Sequence, residues 1–183
     1  MQHADLVALI RDGIGAKGGE WADLGAGEGA FTLALADVAG PSAKITAIDR
    51  DSGALRRLRE DLGRRFPATA IETVVADFTR PISLADFDGV VMANSLHFVR
   101  DKRPVLESVR EMLRPGGALI VVEYGADRGN PWVPHPFSYP TWERLSAEAG
   151  FERTRLLRTM PSRHLGSLYS SVTYRPVASS SVT

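Results

Sequence analysis

One segment limits what this chain can fold into: Trp21-Ala-Asp-Leu-Gly-Ala-Gly-Glu-Gly-Ala-Phe-Thr-Leu-Ala-Leu-Ala36. It begins as a short apolar strand and passes through a turn with glycines at 25, 27 and 29. It continues as a helix with Phe31, Leu35 and Val38 on its apolar face. Glycine tolerates positive φ and lets a ligand come close to the backbone. The helix after the turn points its unpaired N–H groups at that ligand. The segment therefore reads as a nucleotide-type cofactor site on a strand–turn–helix unit. Asp23 stands two places before the first glycine, and a second carboxylate, Asp49, closes the next strand.

The turn alone leaves two cofactor classes open, because Gly25-x-Gly27-x-x-Ala30 also satisfies the loose dinucleotide pattern. The order of the later strands and helices narrows the choice. Ala43–Asp49 reads as a second strand and Ala70–Asp77 as a third, each ending in an aspartate. Asp88–Asn94 reads as a fourth, ending in an amide, and Leu113–Glu123 as a helix end, a turn and a fifth strand. Between them the apolar spacing predicts helices over Ala4–Ile14, Ser52–Arg65 with Asp51 as N-cap, and Lys102–Leu113. Strand and helix alternate, which argues for a parallel sheet covered on both faces. Residues 125–140 break the pattern with four prolines, three aromatics and a histidine. A helix over Thr141–Ala149 and two strands, Phe151–Leu157 and Leu168–Tyr174, complete the chain.

Five motifs in this order resemble the class I S-adenosylmethionine-dependent methyltransferases. They are the loop Asp23-Leu-Gly-Ala-Gly-Glu-Gly29, the acidic Asp49, Ala76-Asp77-Phe78, Asn94-Ser-Leu-His97 and the turn Arg114-Pro-Gly-Gly117, and the resemblance covers roughly residues 20–175. It implies an α/β fold: a Rossmann-like, doubly wound, mostly parallel seven-stranded sheet with an antiparallel C-terminal strand and helices on both faces. It further implies one domain over residues 1–175, with a leading helix in 1–19 and a flexible tail over 176–183. The cofactor would be S-adenosyl-L-methionine and the product S-adenosyl-L-homocysteine. On the family's pattern Asp23 supports the cofactor's amino group, and the loop residues Gly25, Ala26, Gly27 and Gly29 contact its methionine portion. Asp49 takes the ribose hydroxyls, with Arg50 beside it. Asp77 accepts from the adenine amino group, the Phe78 N–H reaches the ring, and Asn94 lies beside the methyl.

Several of these residues carry a second reading. Asp49 could cap the helix after it, although Asp51 is better placed. Asp77 could serve only a turn, and Asn94 only a strand end. His97, Glu123 and Tyr139 are the catalytic candidates, yet a histidine in an apolar Leu-His-Phe-Val setting is often structural. Trp132, His135, Phe137 and Tyr139 either wall an acceptor pocket or pack a loop onto the sheet. Arg56, Arg57, Arg59, Arg64 and Arg65 read as a solvated helix face balanced by Glu60 and Asp61, with a phosphate-binding surface as the alternative.

Composition bounds the partners. Of 183 residues 44% are hydrophobic, enough for one sizeable core. Lys plus Arg equals Asp plus Glu at 22 each, so no global field draws nucleic acid or an anionic membrane. The absence of cysteine excludes disulfides, thiolate metal sites and a cysteine nucleophile, and no metal is expected. The first ten residues lack a basic region before their apolar stretch, so they do not read as a signal peptide, and the chain is expected in the cytoplasm. Asn94-Ser-Leu-His97 differs from the Pro-Pro-aromatic pattern of many methyltransferases acting on DNA bases or glutamine. The expected acceptor is therefore a small molecule, and the expected assembly a monomer or homodimer. An NAD(P)-binding oxidoreductase fits the glycine loop but neither the Arg114–Gly117 turn nor the closing strand pair. A non-catalytic domain that binds the same cofactor fits both.

Overall fold

A computed structural model of the chain describes residues 1–177, so most of the expected tail lies outside the described residues. The strands are β1 (Gly19–Leu24), β2 (Ala43–Asp49), β3 (Ala70–Val75), β4 (Phe87–Ala93), β5 (Leu113–Tyr124), β6 (Glu152–Ser162) and β7 (Gly166–Tyr174). The helices are α1 (His3–Ile10), α2 (Ala30–Ala39), α3 (Ser52–Arg65), α4 (Arg103–Met112) and α5 (Tyr139–Glu148), with 3₁₀ turns at Arg11–Gly13 and Leu96–Phe98. The strands join in one sheet in the order β3-β2-β1-β4-β5-β7-β6. All neighbours are parallel except that β7 runs against both β5 and β6.

The central strands are apolar on both faces because both faces are covered. On one side Leu9, Ile10, Leu35, Leu55 and Leu58 pack on Ile45, Val91, Ile120 and Val122. On the other, Leu106, Val109, Phe137 and Trp142 pack on Leu24, Met92 and Val121. Sequence order reverses between β1 and β4, and in open α/β sheets ligands bind in the crevice at that point, beyond the carboxyl ends of the strands.

Where boundaries move, a local cause is visible. The leading helix stops at Ile10 rather than Ile14, and the chain tightens into a 3₁₀ turn ending at Gly13. A Cβ on Gly13 would lie 2.9 Å from the Ile120 side chain, so only glycine passes there without a shift. Asp51 caps α3 as expected, its Oδ1 accepting from the N–H groups of Gly53 at 2.8 Å and Ala54 at 3.0 Å. The turn expected at Arg114–Gly117 is absorbed into β5 as an irregularity in its register with β4. The Arg175 guanidinium closes the end of α4 by donating to the carbonyls of Arg110, Glu111 and Leu113. α5 begins two residues early, at Tyr139, because Ser138 caps it and is itself held by Asp127. The last strand pair is longer than its apolar pattern suggests, since β6 is an edge strand with most side chains exposed.

Candidate functional site

The glycine turn after β1 is left-handed at all three glycines, with φ of +79° at Gly25, +54° at Gly27 and +87° at Gly29. Two of the three are also forced by packing. A Cβ on Gly25 would lie 2.6 Å from Ser95 Cβ, and one on Gly29 would lie 2.5 Å from Leu58 Cγ. Gly27 differs: a Cβ there meets nothing within 4 Å, so its bare surface faces open space. The turn hangs on β2. Gly25 and Ala26 donate to the Ile48 carbonyl at 2.8 and 3.1 Å, and Gly27 donates to Asp49 Oδ2 at 2.8 Å. The other Asp49 oxygen accepts from the Asp51 N–H at 2.9 Å. Asp49 therefore shapes the loop rather than capping α3. A carboxylate offers about four lone-pair sites, so further acceptor capacity remains.

Beneath the loop Asp23 is buried, its Oδ2 accepting from Thr32 Oγ1 at 2.6 Å. Burial pushes its carboxyl up to about 6; the Thr32 hydrogen bond opposes that rise and the nearby Asp49 charge adds to it. Asn94, just past β4, holds a left-handed φ of +52° and donates its N–H to the Val122 carbonyl at 2.9 Å. Its side-chain Oδ1 is buried with no hydrogen-bond partner among the described residues. Such an orphaned acceptor beside a ligand crevice is informative, since buried polar atoms are nearly always paired. Asp23, Gly25, Ala26, Phe31 and Asn94 line a cleft of about 350 Å³. A second cavity of about 380 Å³, lined by Lys17, Trp21, Asp88 and Tyr174 among others, lies at the amino-terminal ends of β1 and β4.

The outer cofactor candidates sit at the rim. Ala76 N–H donates to the Asp49 carbonyl at 3.0 Å, which carries Asp77 and Phe78 to the end of β2, and the Phe78 ring approaches Gly25. Asp77 also makes a turn, its Oδ1 accepting from the Thr79 N–H and hydroxyl at 2.9 and 2.7 Å. Those bonds hold its carboxyl below the usual range. Arg50 is exposed and makes no hydrogen bond or ion pair among the described residues, acting on Asp77 only through its charge. On α3, Arg57 pairs with Glu28 at 2.9 Å and Arg64 with Asp61, in keeping with a solvated face.

The end of β5 holds an arrangement that separate residues do not reveal. Glu123 is fully buried. Its Oε1 accepts from the N–H groups of Leu96 and His97 at 2.9 and 3.1 Å, and its Oε2 lies 2.7 Å from His97 Nδ1. Glu123 thus faces His97 rather than open space. Ser95 Oγ donates to the Leu24 carbonyl at 2.9 Å and pins the same connection onto β1. The pairing of residues 26 apart was recoverable only from the neighbouring strand ends, because Ala93 of β4 lies beside Val122 of β5. Sequence reasoning also missed Lys102. This buried ammonium donates to the carbonyls of Val99 and His135 at 2.9 and 3.0 Å and lies 4.9 Å from the Phe137 ring centre. Burial lowers its pKa, and Glu123 and Asp101 partly offset the shift.

The aromatic segment divides instead of forming one wall. Phe137 is core, 5.8 Å from the Trp142 ring and 6.4 Å from Tyr169. Trp132 is 74% exposed. Tyr139 opens α5 edge-on to Tyr169 at 5.8 Å, and burial together with Glu143 pushes its hydroxyl up to about 12. A phenol so perturbed is a poor proton acceptor near neutrality, and Tyr139 is not among the cleft's lining residues. Prolines and aromatics share one composition in sequence; only the packing separates them.

With that geometry in hand, residues 22–121 match the family described as a methyltransferase domain. An O-methyltransferase of Penicillium expansum is 32% identical over 120 residues, which are 65% of this chain and 43% of that protein. A ubiquinone/menaquinone biosynthesis C-methyltransferase of Ectopseudomonas mendocina is 32% identical over 110 residues, 60% of this chain and 43% of that protein. The matched part is less than half the length of either relative. Among solved structures, a SAM-dependent methyltransferase from Methanosarcina mazei superposes with a TM-score of 0.71 at 21% identity, covering 92% of this chain and 97% of that one. An arsenic(III) S-adenosylmethionine methyltransferase from Chlamydomonas reinhardtii also gives 0.71, at 20% identity, covering 91% and 66%. Both structural likenesses are likenesses of fold.

Proposed function

This chain belongs to the class I S-adenosylmethionine-dependent methyltransferases, and on that premise we propose that it transfers a methyl group from S-adenosylmethionine to a small-molecule acceptor. One observation carries the reading. A buried carboxylate on Asp23, an orphaned buried amide oxygen on Asn94 and the glycine loop at Gly25 and Ala26 line one crevice, and the next loop residue, Gly27, presents a bare face. When bound there, S-adenosylmethionine supplies an electrophilic methyl on a positively charged sulfur. The chain's part is to bind, align and exclude water.

Asp23 offers a negative charge to an ammonium group, which would relieve its own isolation. Asp49 has acceptor capacity left for two ribose hydroxyls once Gly27 and Asp51 are served. Asp77 keeps Oδ2 free for an adenine amino group, and the Phe78 N–H lies beside it. Asn94 Oδ1 supplies an acceptor where the methyl end would lie. Residues 1–175 form the methyltransferase unit on this reading. Balanced charge makes nucleic acid and anionic membrane poor partners, and the reaction is assigned to the cytoplasm, in a monomer or homodimer. Among the described residues no helix is long and apolar enough to cross a membrane.

Parallel calorimetric titrations with S-adenosylmethionine, S-adenosylhomocysteine and NADH test the proposal. The first two should bind at one site per chain and NADH should not. Tighter binding of NADH, or none of S-adenosylmethionine, overturns it.

A further inference from the structure

We propose that the cavity at the amino-terminal ends of β1 and β4 is a second ligand site, which takes a flat aromatic carboxylate independently of the cofactor. It shares no lining residue with the cleft at Asp23 and Asn94. β1 runs from one to the other, and its six residues set them about 17 Å apart. The volume of about 380 Å³ falls in the range of small-molecule sites, roughly 300–1,000 Å³.

The aromatic part of the ligand follows from two lining side chains, Trp21 and Tyr174. Trp21 is buried, and its Nε1 donates to the Gly18 carbonyl at 3.0 Å. Its ring fills the space that a Cβ on the neighbouring Gly89 would need, so the indole lies there only because β4 carries glycine beside it. Tyr174, at the end of β7, has the Arg153 guanidinium 4.4 Å from its ring centre. Both rings are held before any ligand arrives, so a flat ring that packs on them costs little further ordering.

The anionic part follows from the donors. Gly15, Ala16 and Lys17 line the cavity in succession at its exposed rim. Their backbone N–H groups donate to nothing among the described residues, and neither does the Lys17 ammonium. Asp88 is the one carboxylate among the lining residues, and its charge is already answered. Its Oδ1 accepts from Arg114 at 2.6 Å and its Oδ2 from the Glu20 N–H at 2.7 Å. The charge left without a partner is therefore the positive one on Lys17, with three amide donors beside it. That set suits a carboxylate. A cationic ligand would find Asp88 engaged, and a small inorganic anion would leave both rings uncovered.

Nitrogen-15 NMR titrations of the full chain test this, with 2-naphthoate as the probe. Its neutral amide, 2-naphthamide, and acetate serve as controls. Naphthoate should saturate one site per chain and shift the Trp21 indole N–H and the amides of Gly15, Ala16 and Lys17. It should do so equally in cofactor-free protein and with saturating S-adenosylmethionine. Naphthamide and acetate should each bind more weakly. Lys17→Gln should weaken naphthoate by about 1.5- to 5-fold, the worth of an exposed ion pair, and leave naphthamide unchanged. Gly15→Leu fills the cavity, since a Cβ there meets nothing within 4 Å and the backbone is not left-handed. That variant should melt as wild type does and lose both naphthyl ligands. No saturable shift at these four groups overturns the proposal, as does displacement by S-adenosylmethionine. Acetate or naphthamide as tight as naphthoate, or naphthoate affinity unchanged in Lys17→Gln, also overturns it. Should Gly15→Leu fail to fold, the Lys17→Gln titrations decide alone. The cofactor-free titration reports on this site whether or not the methyl-transfer reading holds.

Discussion

Replacing Asp23 by asparagine should stabilise the cofactor-free protein and weaken cofactor binding together. Asp23 is buried, with Thr32 as its one hydrogen-bond donor among the described residues, and its carboxyl is pushed up to about 6 from 3.8. A rise of about two pH units corresponds to roughly 3 kcal/mol, at 1.36 kcal/mol per unit. The sign comes from linkage. A carboxyl whose folded pKa is raised contributes stability that is fully present below the unfolded value and lost as pH rises through the folded one. For Asp23 the loss runs from about pH 4 to about pH 6, so at pH 7 the folded protein carries the whole penalty. Asparagine keeps an acceptor for Thr32 and never ionises. Asp23→Asn should therefore exceed wild type by up to about 3 kcal/mol at pH 7–8, and the gap should close toward pH 4. At about 2–4 °C per kcal/mol for a chain of this size, the melting gap is roughly 6–12 °C. Binding moves the other way. A cationic ligand group selects the ionised carboxylate, so wild-type affinity for S-adenosylmethionine should fall below pH 6, and the variant's should be low at every pH. Thermal melts of both proteins from pH 4.5 to 8, compared as differences, cancel the titration of every other group. A gap independent of pH, or a variant less stable than wild type at pH 8, refutes the reasoning.

The same geometry sets three other outcomes. Asp49→Ala removes the acceptor for Gly27 and Asp51 and should lower S-adenosylmethionine affinity roughly 10–150-fold, from about 1.5–3 kcal/mol of lost hydrogen bonding; an unchanged dissociation constant by calorimetry contradicts the assignment. Gly27→Val places a branched side chain in open space at φ +54°, so it should abolish cofactor binding at a cost of about 1–3 kcal/mol in backbone strain, and retained affinity would move the site elsewhere. Phe137→Ala should destabilise by about 3–5 kcal/mol without changing cofactor affinity, whereas Trp132→Ala should leave the denaturant midpoint unchanged. Paired denaturation curves check both, and a reversed order would restore Phe137 to the pocket wall.

Local signals reported local structure well. Ala43–Asp49 is a strand with the expected bounds, and Asp51 caps α3, because a cap and a both-faces-buried strand are written within a few residues. The left-handed glycine turn was legible for the same reason, and the order of the motifs carried the sheet and the family. The sequence could not say which glycine serves which purpose. Gly25 and Gly29 are required by Ser95 and Leu58, far away in the chain, while at Gly27 alone of the three a Cβ would meet nothing within 4 Å. Nor could it say that Phe137 is core while Trp132 is solvent-facing, since both sit in one proline-rich segment.

By itself, then, the chain's sequence determined the alternation of elements and the crevice at the switch between β1 and β4. These come from periodicity, turn chemistry and strand ends, all of which act over short separations. Tertiary structure alone decided burial and long-range pairing. His97 lies on the connection after β4 and Glu123 near the end of β5, and they meet at 2.7 Å only because β4 and β5 are hydrogen-bonded neighbours. Asp23 is perturbed only because α2 and the sheet close over it, and Asn94 Oδ1 is orphaned only because the folded chain buries it without bringing it a donor among the described residues. Burial and pairing are properties of the assembled core, and no run of adjacent residues encodes them.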